Sequence, residues 1–351
     1  MGTADRDDRV NPTSASPHEF NNRRPTACTS MRPHALWVQD DRKEQLMLAP
    51  RQPQPSQRPL IPVAVATLAA AGGIGWLLQR ACKPNGDACH RAAQALGAGA
   101  AILCASVALD SALEHYRGEF KNRLMFVAPT MALLGLGAAT YVALRPERAK
   151  DTPPRIALIA VGATGLIGIG FHSYNILKRP GELGYLNLFY AAPLGAPAAL
   201  ALAGTYGIIA GEMLSDSDGI RTRLPKLTAG LIAFSLLGTV AEAGLLHFRG
   251  AFQDPAMYAP VTIPPLAAVA IGASVLSPGA TVFAEPLLKA TAVLGIAGPI
   301  FHAYGIHRNM GGWRNWSQMI LQGPPLPAPP AFLGIAAAGL GLLPMLQEPD
   351  A

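Results

Sequence analysis

Four histidines carry the chemistry open to this chain. His115 begins the run His115-Tyr116-Arg117-Gly118-Glu119-Phe120, and 132 positions later His247 begins His247-Phe248-Arg249-Gly250-Ala251-Phe252. Between them, Phe171-His172-Ser173-Tyr174 returns as Phe301-His302-Ala303-Tyr304. The echo extends to Met125-Phe126 against Met257-Tyr258, and to Pro193-Leu194-x-Ala196-Pro197 against Pro325-Leu326-x-Ala328-Pro329. Asp110 and Glu242 each stand five residues before the first histidine of their copy, and Arg117 and Arg249 two residues after it.

These residue types suit several uses. Imidazole with carboxylate binds iron, zinc or copper, which makes His115, His247, Asp110 and Glu242 the expected metal set. Paired across facing helices, His115, His172, His247 and His302 would ligate haem axially, with Arg117 and Arg249 meeting the propionates. Electron transfer, with other membrane or redox proteins as partners, is the function that follows. The alternative is a transporter of a small solute or ion on the axis between the copies, with Asp110 and Glu242 as coupling groups, because ionisable groups in apolar helices are costly and serve function. A third reading is structural: a histidine at a helix end caps the last carbonyls and sits at headgroup level. Five residues set each carboxylate about 140° around the helix from its histidine, so one ion reaches both only across helices. Seven residues place Asp110 with Arg117, and Glu242 with Arg249, on one face, where each is expected to pair.

The elements that position these groups are apolar blocks. Half of the 351 residues are hydrophobic and 14% are charged, against about 25% charged in an ordinary soluble domain. The blocks run near the 20 residues that a helix needs to cross about 30 Å of hydrocarbon. They fall at about 60–79, 92–113, 124–144, 156–177, 187–213, 227–246, 258–277, 288–306 and 330–346. The expected fold is therefore all-α: a polytopic transmembrane bundle of about nine spans, with two tandem four-helix repeats and a leading helix. Lipid satisfies no backbone polar group, which excludes an open sheet. Residues 1–58 form a polar tail with no apolar period, expected to be disordered. Residues 59–91 hold the leading helix and a loop with Cys82 and Cys89. Residues 92–213 and 227–346 are the repeats, 214–226 a cytoplasmic-type linker, and 347–351 a short tail.

An even number of spans per repeat gives both copies one orientation, related by an axis along the membrane normal. All four histidines then end helices at the same membrane face. Arg145, Arg148, Lys150 and Arg155 in one loop, with Arg221, Arg223 and Lys226 in another, mark the opposite loops as cytoplasmic and put the histidines outside, in a cell inner membrane. The basic tail, counted on the histidine side, reverses that tally. Gly162, Gly165, Gly168 and Gly170, with Gly135 and Gly137, predict close helix packing.

The formal charge of +6 comes from the tail and from residues flanking apolar blocks, not from a basic face with aromatics, so nucleic acid is excluded as a partner. The bilayer is the partner that composition requires. Cys82 and Cys89 fit a disulfide in an oxidising compartment or free thiols elsewhere. No phosphate loop, dinucleotide fingerprint, HExxH or hydrolase elbow occurs, so no reaction is read from the sequence.

Overall fold

A computed structural model describes residues 87–347, apart from 216, 310, 313, 316–319 and the side chain of 218. The expected tail 1–58, the leading span 60–79 and Cys82 lie outside the described residues. Those described are helical, with no strand among them.

The helices are α1 Ala88–Arg117, α2 Val127–Leu144, α3 Thr152–Leu177, the short α4 Tyr185–Tyr190 and α5 Gly195–Glu212; then α6 Asp218–Arg249, α7 Ala259–Ser274, α8 Thr281–Asn309 and α9 Pro330–Gln347. Matching 3-10 turns, Arg123–Phe126 and Pro255–Tyr258, lead into α2 and α7. Seven helices are long and apolar enough to cross a membrane: α1, α2 with its turn, α3, α6, α7 with its turn, α8 and α9. The chain is a multi-pass membrane protein in contact with lipid. The block 187–213 differs from expectation. It breaks between Tyr190 and Gly195, where Pro193 lies outside any helix, and α5 is not one of the seven. α6 begins at Asp218, inside the stretch expected to be a linker, and passes through Pro225.

The first residues of α1 are capped by Asp87, whose carboxylate accepts the His90 N–H at 2.7 Å. At its far end the HxRGxF motif shows its purpose. Phe120 N–H donates to His115 O, and Phe252 N–H to His247 O, at 3.0 and 3.1 Å. These bonds close a turn in which Glu119 and Phe120 (φ 59° and 46°), like Ala251 and Phe252 (φ 55° and 45°), adopt the left-handed conformation. Such backbone costs about 1–2 kcal/mol per L-residue. Each turned phenylalanine stacks on the aromatic that precedes the returning helix, Phe120 on Phe126 at 4.2 Å and Phe252 on Tyr258 at 4.6 Å. The motif glycines do not supply the left-handed geometry. A Cβ on Gly118 or Gly250 would meet the Cε of Met125 or Met257 at 3.0 or 2.9 Å.

α1 is the central helix, with 89% of its most apolar stretch buried, against 17% for α6. It packs on α2, α5 and α9. Its contact with α9 is backbone to backbone: a Cβ on Gly99 would stand 2.5 Å from Gly334 O. Where lipid gives no hydrophobic drive, such small-residue crossings hold helices together by contact. Of the glycines expected to pack, Gly135, Gly162, Gly165 and Gly168 face neighbours, while Gly137 and Gly170 have open space. α6, the counterpart of α1 in chain order, packs on α7 and α9 but barely meets α5. A cavity occupies the gap.

Candidate functional site

The ends of α1, α3, α6 and α8 gather at one end of the bundle. Arg117 reaches the carbonyls of Ile320 and Gly323 before α9. Phe189 of α4 meets Phe248 edge-on at 5.6 Å, and Arg249 lies over Tyr190 at 5.2 Å. His247 and His302 are neighbours, their ring centres 6.4 Å apart and their planes at 80°.

Each of the four histidines is held in the same way. Nδ1 of His115 bonds to Met125 O, that of His172 to Pro193 O at 2.6 Å, that of His247 to Met257 O at 3.0 Å, and that of His302 to Pro325 O at 3.0 Å. A carbonyl can only accept, so each Nδ1 donates a hydrogen and each Nε2 presents a lone pair. Pro193 and Pro325 lie ahead of Gly195 and Pro330, where α5 and α9 begin. Their carbonyls are what the histidines grip.

A cavity of about 1040 Å³ lies between α1 and α5 on one side and α6, α8 and the start of α9 on the other. His247 and His302 line it; His115 and His172 do not. Asp110 and Glu242 face into it from opposite walls, close enough for their charges to repel. Among the described residues, no three His, Cys, Asp or Glu side chains converge where one metal ion would sit. The expected set is divided: Asp110, Glu242 and His247 on the cavity wall, His115 away from it.

The two carboxylates have different surroundings. Glu242 lies against the start of α5, its carboxylate beside Gly195. A Cβ at Gly195 would overlap both of its oxygens. A carboxylate at a helix N-terminus meets unpaired amides and the positive end of the helix dipole. Asp110 is 8% exposed, and its Oδ1 has no hydrogen-bond partner among the described residues. The neighbouring hydroxyls are committed elsewhere, Ser106 to Pro327 O and Ser111 to Val107 O, both at 2.6 Å.

Neither expected carboxylate–arginine pair forms. Arg117 pairs with Glu114, one turn away, at 2.6 Å, because its planar fork can take that carboxylate and the carbonyls of Ile320 and Gly323 together. Arg249 stacks on Tyr190 instead. Gly195 and Pro327 are the functional positions that the sequence left unread. They are the middle residues of the two Pro-Leu-x-Ala-Pro runs, and the contrast between them was the available signal. Comparison with protein-family models, curated proteins and solved structures gives no match.

Proposed function

We propose that this protein is a membrane carrier that holds a small, largely apolar molecule in the cavity between its two halves. The observation that supports this reading is Asp110. Asp110 lines a roomy cavity inside a membrane protein, and its buried Oδ1 has no donor among the described residues, which marks this carboxylate as the group to hold a ligand. The site draws on both halves, as expected where two copies of a four-helix unit meet. The matching helix order, paired left-handed turns and four identical histidine anchors support a tandem duplication with both copies in one orientation. On this reading the chain lies in the cell inner membrane, with about nine spans once α5 and the leading segment are added to the seven, and with the histidine ends outside.

Photolabelling of the full-length protein in vesicles with an apolar phenyl-diazirine tests the carrier reading. Saturable labelling of α5 and α6 wall residues is expected. It should vanish in Gly238→Trp, because Gly238 lines the cavity and a Cβ there meets nothing within 4 Å. Labelling that never saturates, or that ignores Gly238→Trp, removes the carrier.

A second reading rests on His247 and His302. Two imidazoles that meet one metal ion head-on through nitrogen at about 2.0–2.1 Å have ring centres about 6 Å apart, and here they are 6.4 Å apart. His247 and His302 are the residues that would hold a haem, which would supply one-electron chemistry there. Anchored Nδ1 groups are what such ligands need, and Arg308 on the cavity wall is placed for a propionate. On this reading the protein carries electrons, and His115 and His172 hold the hairpins. A Soret band lost in His247→Ala and in His302→Ala, but kept in His172→Ala, is its signature. Purified protein that neither shows such a band nor gains one with added haemin ends it.

A further inference from the structure

Resting on the carrier reading, we infer that the ligand is a lipophilic ammonium: an apolar body with a protonated amine whose N–H donates to Asp110. The charges on the cavity wall are Asp110, Glu242, Asp254 and Arg308. Arg308 and Asp254 neutralise one another at 3.8 Å, which leaves two carboxylates and no cation. Glu114, near Asp110, is paired with Arg117 at 2.6 Å, so these two charges largely offset each other at Asp110. A positive group that enters relieves the repulsion between Asp110 and Glu242, whereas an anion worsens it.

The need for a donor, and not merely a charge, comes from Pro327. Asp110 and Glu242 stand 132 residues apart, and so do Gly195 and Pro327. Glu242 lies beside the Gly195 amide. The residue in the matching place beside α1 is a proline, whose carbonyl takes the Ser106 hydroxyl and which has no N–H to give. Glu242 thus has an amide at hand where Asp110 meets a proline, and Oδ1 of Asp110 has no donor among the described residues.

The remainder of the wall suits the organic part of such a molecule. Phe234, Phe301, Phe332 and Tyr304 line the cavity, and aromatic faces attract ammonium groups by about 0.5–2 kcal/mol. A bare metal ion fits poorly, since it needs several oxygen or nitrogen ligands and no three such side chains converge among the described residues.

Competition against the diazirine label separates charge from shape. Three competitors share one naphthalene body: 1-naphthylmethylammonium, 1-naphthylmethanol and 1-naphthylacetate. The ammonium should displace the label at a concentration at least about tenfold below the alcohol, as expected for a charge-assisted hydrogen bond in place of a neutral one. The carboxylate should be the weakest. Asp110→Asn should erase the preference while the neutral label still binds. Equal displacement by all three in the unaltered protein, or a preference that survives Asp110→Asn, overturns the ammonium assignment and leaves the carrier standing. Unsaturable labelling in the unaltered protein overturns both.

Discussion

Gly195 offers the sharpest energetic test. In Gly195→Ala the new methyl would occupy the space of the Glu242 carboxylate, so the carboxylate must leave the start of α5. Moving the carboxylate off the helix start forfeits about 0.3–2 kcal/mol of dipole attraction, and forcing a methyl into filled space costs about 1–3 kcal/mol. Alanine returns at most about 1 kcal/mol of helix propensity, less at the first residue of a helix than in its middle. The net cost is therefore about 1–3 kcal/mol. With the side chain truncated in Glu242→Ala, the overlap disappears, and adding Gly195→Ala should cost nothing or stabilise slightly. The cycle thus predicts a coupling of about 1.5–3 kcal/mol between the two positions. Full-length protein in detergent, heated and assayed for monodisperse material by size exclusion, reads this as a midpoint. At roughly 2–4 °C per kcal/mol, Gly195→Ala should lower it by several degrees in the native background and by none in Glu242→Ala. Equal losses in both backgrounds would show that the carboxylate does not sit at α5.

The same melting assay checks three further expectations. Asp110→Asn replaces a buried, half-unsatisfied charge with a neutral amide and should raise stability by about 1–3 kcal/mol while ligand preference is lost; a lowered midpoint contradicts the orphaned oxygen. Arg117→Ala breaks bonds to Ile320 O, Gly323 O and Glu114 and should cost about 2–4 kcal/mol, whereas Arg249→Ala loses a ring contact worth about 0.5–1 kcal/mol; similar losses would refute this asymmetry. Glu119→Gly and Ala251→Gly should each stabilise by about 1 kcal/mol through relief of left-handed backbone, and a drop in both would remove that account of the motif.

Much of this architecture was legible because membrane helices leave long apolar blocks, and because the copies repeat their side chains. The histidines at block ends, the carboxylates five residues before them and the small-residue packing could all be read. What could not be read is backbone. The histidine partners are carbonyls of Met125, Pro193, Met257 and Pro325, and a carbonyl has no letter of its own. The Met125 and Met257 echo was visible, but its use as an acceptor and as packing for Gly118 and Gly250 was not. Arg117 was expected to pair with Asp110 by helical spacing, but it takes Glu114 one turn away and two carbonyls some two hundred residues off, which spacing within one helix does not reveal. The cavity followed from unequal packing of equivalent helices, α1 tight on α9 and α6 loose on α5, which a repeat in sequence conceals.

The crossing of Gly99 with Gly334 joins the first described helix to the last, 235 residues apart in the chain. At about 5–20 residues per second of synthesis, roughly 12–47 s pass between the emergence of one partner and the other. Throughout that interval α1 waits in the bilayer with its glycine groove, and with Asp110, shown to lipid or to the insertion machinery. A nascent chain that stops short of α9 therefore presents an uncovered acidic helix, a mark by which membrane proteases could distinguish unfinished copies from complete ones.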